Sequence, residues 1–148
     1  MTTDFWNSRY GEPGFAYGTT PNAFLASQQS RLKPGMKALA VADGEGRNGV
    51  WLAEQGLDVL SVDASAVGLA KARELAAHRG VPLATEQVDL ATWSWPVASL
   101  DVVAAIYIHL PSAIRRRLHR AMLRALRPGG LLVMEAFTPR QLADHYPS

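Results

Sequence analysis

The chain has 148 residues, 48% of them hydrophobic and 19% charged, with a formal net charge of +2 and no cysteine. That length suits one domain able to bury roughly two-thirds of its unfolded surface, and the composition excludes a disordered chain. The slight charge gives no reason to expect a nucleic-acid partner, and without cysteine there is no disulfide framework, zinc–cysteine site or thiol nucleophile.

Met1-Thr-Thr-Asp-Phe-Trp6 lacks the basic start and apolar core of a signal peptide, and no apolar run approaches membrane-spanning length. A cytoplasmic location without membrane contact is therefore expected. Residues 1–20 carry Phe5, Trp6, Tyr10, Phe15 and Tyr17 among glycines, without clean periodicity. Core packing and a lid over a ligand are both open readings, with Arg9 and Tyr10 the positions expected to meet the ligand. Thr20 is expected to cap a helix with Pro21 in its first turn, running through Phe24, Leu25 and Leu32 until Pro34-Gly35 stops it.

From Lys37 onward the pattern alternates. A first strand, 37–42, leads into a glycine turn, 43–46, and a helix from Arg47 to Gln55 closed by Gly56. The second strand is 58–62. Ser65 then caps a helix reaching His78 or Arg79, ended by Gly80 and Pro82. Strands follow at 83–88 and 101–106, a helix opened by Pro111 runs to about Leu126, Pro128-Gly129-Gly130 turns the chain, and a fifth strand is 131–137. Continuous apolar strands separated by helices predict a parallel sheet buried on both faces, so the expected fold is a doubly wound, Rossmann-like α/β domain. Arg115, Arg116, Arg117, Arg120, Arg124 and Arg127 lie mostly opposite an apolar stripe of Ile114, Leu118, Met122 and Ala125, which predicts a solvated helix face.

The chemistry is concentrated at strand ends. Gly44 and Gly46 permit a sharp turn and bare main chain beside a ligand, and the helix start at Arg47 offers free N–H groups. Asp63 at the tip of the second strand suits the two hydroxyls of a ribose, and Ala64 adjoins it. Gly44, Gly46 and Gly49 also satisfy G-x-G-x-x-G, so this turn alone leaves a nicotinamide dinucleotide and S-adenosylmethionine both open. Asp89, with Leu90, adds an acceptor for an adenine amino group, and the chain has no room for the second domain that a hydride-transferring enzyme usually carries.

These residues resemble the class I S-adenosylmethionine-dependent methyltransferases, and within them the tellurite-resistance and thiopurine methyltransferase-like group. The resemblance rests on Gly44-Glu-Gly-Arg-Asn48, Val62-Asp63-Ala-Ser65, Val88-Asp89-Leu90, His109-Leu-Pro111, Arg127-Pro-Gly-Gly130 and Glu135-Ala-Phe-Thr-Pro139. Trp6-Asn-Ser-Arg9-Tyr10 and Tyr17-Gly18 add to it. It implies S-adenosylmethionine as cofactor, a small-molecule methyl acceptor, a single domain with an aromatic lid over 1–20 and a core over 36–148, and backbone near Ile106 facing the reacting centre. In Tyr107-Ile108-His109-Leu110, just after the fourth strand, only Tyr107 and His109 can act as a base, and no Asn/Asp-Pro-Pro-aromatic motif is present. A soft acceptor such as a thiol, or a selenium or tellurium oxyanion, is thereby favoured. An NAD(P)-dependent oxidoreductase and a non-catalytic S-adenosylmethionine-binding module are the rival readings.

Two departures stand out. The motif's usual acid and first glycine fall on Ala40 and Ala42, and Asp43 is the stand-in for meeting the cofactor's ammonium group. The resemblance also implies an antiparallel C-terminal hairpin, for which no sequence remains before Ser148. The hairpin is then absent or the sequence is a fragment, and an uncovered fifth strand predicts self-association or lowered stability.

Overall fold

The computed structural model describes residues 3–108 and 110–136. Five parallel strands form one sheet: β1 (Lys37–Val41), β2 (Asp58–Asp63), β3 (Ala84–Gln87), β4 (Leu100–Ile106) and β5 (Leu126–Glu135), in the spatial order β3-β2-β1-β4-β5. The chain steps outward from β1 to β3, then returns to place β4 on the other side of β1. The reversal opens a crevice beyond the carboxyl ends of β1 and β4, where ligands bind in such sheets. The expected doubly wound architecture is borne out.

Period-two alternation explains why the strands read as apolar throughout. Ala38, Ala40, Val59, Val102, Ala104 and Val133 pack on one face with Leu25, Leu52 and Leu57. Leu39, Val41, Val62, Val103 and Ala105 pack on the other with Met122 and, at its margin, Trp93 and Trp95. Both faces of the central strands are covered, whereas the edge strand β3 keeps Glu86 and Gln87 exposed.

The helices are α1 (Thr3–Tyr10), α2 (Ala23–Ser27), α3 (Arg47–Glu54), α4 (Ala66–Arg79) and α5 (Ser112–Ala125), with a 3₁₀ turn at Gln29–Arg31. Helix α4 has the ends its sequence specifies: Ser65 Oγ accepts from the Gly68 N–H at 3.0 Å, and Gly80 closes the helix at φ 68°. Helix α5 buries Leu118, Met122 and Ala125 while its arginines stay exposed, as the stripe predicts.

Three local expectations are corrected. Helix α2 is capped by Asn22 rather than Thr20, because the Asn22 carboxamide accepts from the Leu25 N–H at 2.9 Å, and it ends at Ser27. Residues 3–10 are helical despite their lack of an amphipathic stripe. Strand β5 begins at Leu126, and Pro128-Gly129-Gly130 lies inside it: Leu100 pairs with Leu126 but Val102 pairs with Leu131, so Arg127–Gly130 bulges from the ladder, with Gly129 at φ 83°. No described helix is long and apolar enough to cross a membrane.

Candidate functional site

A cavity of about 710 Å³ opens over the carboxyl ends of the strands, within the range of small-molecule sites. Its walls carry Asp63 and Ala64 at the end of β2, Asp89 and Leu90 after β3, Ala42 and Asp43 after β1, and Ile106 and Tyr107 at the end of β4. Three carboxylates from separate strand tips thus share one crevice, with apolar Val88, Leu110, Ile114 and Leu118 around it.

The Asp63 carboxylate is nearly enclosed and held by main chain: Oδ2 accepts from the Gly44 N–H at 2.9 Å and Oδ1 from the Ser65 N–H at 2.8 Å. Burial pushes its pKa upward, and the Ser65, Gly44 and Ala64 amides oppose that. With three amides on it, the carboxylate still keeps an open lone pair with which to accept from a ligand hydroxyl. Asp89 is tethered more lightly, by the Ala91 N–H at 2.9 Å.

Asp43 keeps some exposed surface as a residue, but its carboxyl is enclosed. Oδ2 accepts from the Ser61 hydroxyl at 2.7 Å and Oδ1 from the Gly49 N–H at 3.2 Å. Burial raises its pKa to about 7 against those two bonds, with Asp63 adding to the rise and Arg47 opposing it. Ala42 adopts φ 51°, the left-handed region glycine enters freely, so the alanine at this motif position carries local strain.

The glycines of the turn serve packing more visibly than ligand contact, and neither Gly44 nor Gly46 lines the cavity. A Cβ at Gly46 would lie 2.6 Å from the Ala72 Cβ of α4, so this glycine admits the helix. A Cβ at Gly44 would stand 2.9 Å from Cζ of Tyr10, and one at Gly68 2.8 Å from Cδ2 of the same ring. Tyr10 therefore seats in a notch between the turn and α4. Burial, first, and then Asp63 keep its phenol un-ionised.

Trp6 stacks on Tyr10 at 5.5 Å, and Thr3, Trp6, Tyr10 and Tyr17 all line the cavity. Arg9 does not; its guanidinium lies 5.2 Å over the Tyr17 ring. The segment is fastened to the core by Ser65 Oγ donating to Asn7, by the Ala16 N–H donating to Glu45 at 2.6 Å, and by Lys71. The Lys71 ammonium pairs with Glu45 at 3.0 Å and donates to the Glu12 carbonyl at 2.6 Å.

Opposite lies an arrangement the sequence reading missed. Ile106 pairs with Glu135 across β4 and β5, and the Tyr107 N–H donates to the Glu135 carbonyl at 2.7 Å. The Tyr107 hydroxyl is hydrogen-bonded to the Glu135 carboxylate, which also accepts from Asn22 Nδ2 at 2.9 Å. That bond, followed by the one from Asn22, lowers the Glu135 pKa, and the same contact raises that of Tyr107. Asn22 is tied to Asn48 of the cavity wall, whose Oδ1 accepts from the Asn22 N–H at 2.8 Å. The available signal was position: Glu135, like Asp63, ends an apolar strand at the sheet's carboxyl edge. His109 lies outside the described residues.

Residues 38–130 match the family model described as "Methyltransferase domain". Over 126 residues the chain is 32% identical to a glycine/sarcosine N-methyltransferase of Halorhodospira halochloris, covering 80% of this chain and 46% of that protein. Among solved structures it resembles an S-adenosylmethionine-dependent methyltransferase from Mesorhizobium loti, with TM-score 0.62 and 27% identity over 74% of this chain and 50% of that one. A Haemonchus contortus phosphoethanolamine N-methyltransferase in complex with phosphoethanolamine and S-adenosylhomocysteine shares the fold, with TM-score 0.75 and 21% identity over 95% of this chain and 34% of the other. The chain thus spans about half the length of the curated relative it matches. Parallel strands, shared crevice and family match converge: the chain belongs to the methyltransferase-domain family, the S-adenosylmethionine-dependent kind its motifs resemble.

Proposed function

We propose that this domain transfers a methyl group from S-adenosylmethionine to a small-molecule acceptor. The observation that carries the proposal is the placement of Asp63 and Asp89, from the tips of separate parallel strands, on the wall of one cavity at the sheet's reversal point. In this reading Asp63, with Ala64, accepts from the ribose hydroxyls, and Asp89 with Leu90 receives the adenine. Asp43 faces the ammonium of the methionyl end. Ile106 and Tyr107 border the reacting centre, and Trp6, Tyr10 and Tyr17 exclude water from above. Gly44 and Gly46 contribute by shaping the turn, and Arg9 by bracing Tyr17 beneath the strap.

When bound, the sulfonium supplies an already activated methyl group, so the chain's own task is to hold an acceptor in line and dry. The Halorhodospira relative, a glycine/sarcosine N-methyltransferase, supports a small acceptor. The tellurite-resistance and thiopurine methyltransferase-like resemblance favours thiols or chalcogen oxyanions, while the relative's N-methyltransferase activity favours an amine.

Calorimetric titration tests the core of the proposal. S-adenosylhomocysteine should bind the chain at micromolar strength and NADH should not. Asp63→Ala removes a charge-assisted bond to the ribose, worth about 1.5–3 kcal/mol, and should weaken S-adenosylhomocysteine by about tenfold or more. Unchanged affinity in that variant would overturn the ribose assignment.

A further inference from the structure

We propose that Lys71 and Glu45 latch residues 12–16 against the body of the domain and thereby set how long the cofactor stays bound. The inference rests on the methyl-transfer reading for the identity of the ligand and adds a gate to that same site. Thr3, Trp6 and Tyr10 line the cavity on one side of this stretch and Tyr17 on the other, so lifting residues 12–16 loosens both parts of the wall.

Lys71, on α4, gathers the stretch at several points. Its ammonium donates to the Glu12 carbonyl at 2.6 Å and to the Gly14 carbonyl at 2.5 Å, lies 5.8 Å from the centre of the Phe15 ring, and pairs with Glu45 at 3.0 Å. Glu45 completes the fastening, because its Oε1 accepts from the Ala16 N–H at 2.6 Å. Phe15 packs on Val50, Leu75 and Ala76. Neither Lys71, Glu45, Phe15 nor Ala16 lines the cavity. The latch therefore acts on the residence of a ligand it does not touch.

The balance between shut and open turns on Glu45. Its side chain is enclosed, and no hydrogen bond reaches Oε2 among the described residues, so the Lys71 ammonium is the compensation for that charge. Glu12, Gly14 and Ala16 are exposed, so lifting them uncovers little apolar surface and returns both charges to water. Without the lysine, the shut strap buries a lone carboxylate that the open strap hydrates, and the balance moves toward open. Glu45 also stands in the glycine turn, beside the Gly44 N–H that donates to Asp63 at 2.9 Å. Latch and ribose contact thus share one loop.

The test uses the full chain. Tritiated S-adenosylhomocysteine is bound to equilibrium and chased with the unlabelled compound. Lys71→Met should release it about 30-fold faster, the effect of removing one partner from an enclosed, partly screened ion pair. Association should quicken in step, which a lost ligand contact would not produce. Adding Glu45→Gln removes the stranded charge and keeps an acceptor for the Ala16 N–H, so release should slow again to near the wild-type rate.

A second measurement needs no variant. In the wild type the Ala16 amide should exchange hydrogen about 100-fold faster than those of Leu39 and Val41 in β1, because the strap opens without global unfolding. S-adenosylhomocysteine at about 100 times its dissociation constant should slow the Ala16 amide by about tenfold or more. Unchanged release from Lys71→Met, faster release with unchanged association, a double variant that stays fast, or Ala16 exchange indifferent to the ligand overturns the gate while leaving cofactor binding intact. Failure of the wild type to bind S-adenosylhomocysteine overturns the methyl-transfer reading and the gate with it.

Discussion

Replacing Asp43 with asparagine should flatten a pH dependence of stability that the wild-type chain owes to this one group. In the folded protein burial moves the Asp43 carboxyl from an ordinary value of 3.8 to about 7. Between those values the folded chain holds a proton that the unfolded chain has lost, so stability falls as pH rises through the window and levels off above it. At about 1.36 kcal/mol per pKa unit the full interval is worth about 4 kcal/mol, and water reaching the group from the cavity reduces this to about 2–4 kcal/mol.

Asparagine preserves the packing. Its Oδ1 keeps the Gly49 N–H bond, and its Nδ2 can donate to the Ser61 hydroxyl that now donates to Asp43. Urea unfolding followed by tryptophan fluorescence at pH 4.5, 5.5, 6.5 and 7.5 measures the difference between the two proteins. Glu135, lowered, titrates equally in both and cancels, and Asp63, raised in the same direction, differs between them only by losing the Asp43 charge beside it. The variant should match the wild type near pH 4 and exceed it by about 2–4 kcal/mol at pH 7.5. Parallel profiles would show that the enclosed carboxyl is ionised throughout, and the reasoning from burial would fall. A cationic amino group beside Asp43 favours its ionised form, so S-adenosylhomocysteine should also bind more tightly as pH rises toward 7.

Lys71→Met should destabilise the chain by about 3 kcal/mol, because Glu45 is left enclosed without its ion-pair partner; adding Glu45→Gln should recover most of the loss, and urea midpoints of the single and double variants decide. Ala42→Gly should raise stability by about 0.5–1 kcal/mol, since glycine takes φ 51° without strain. A drop in melting temperature for that variant would refute the strain at this turn.

Much of this architecture is legible in the sequence because it is written locally. Ser65 and Gly80 bound α4 within a residue, and the apolar strands announce a sheet covered on both faces. Asp63, Asp89 and Ile106 could be gathered in advance because one rule places them all: each ends or follows a parallel strand at its carboxyl edge.

What escaped reading depends on distant partners. Thr3–Tyr10 carries no helical stripe, since its aromatic side chains face the cavity, the turn and each other rather than one continuous core. Gly44 and Gly46 look like ligand-facing glycines until Tyr10 and Ala72 are seen beside them. The start of β5 was hidden by Pro128-Gly129-Gly130, which reads as a turn and is accommodated as a bulge. The meeting of Tyr107 with Glu135 follows from the register of β4 on β5, which no local pattern specifies.

The notch that receives Tyr10 ties three separated positions into one steric bargain. Glycine inside α4 at position 68 sacrifices about 1 kcal/mol of helix propensity relative to alanine, and the ring from position 10 fills the room so created. Among descendants of a common ancestor, a small residue at position 10 would relax the requirement at 68, whereas Gly44 keeps its own preference for glycine at φ 58°. A methyl group gained at position 68 would in turn evict the ring, so positions 10 and 68 should drift through evolution as a pair.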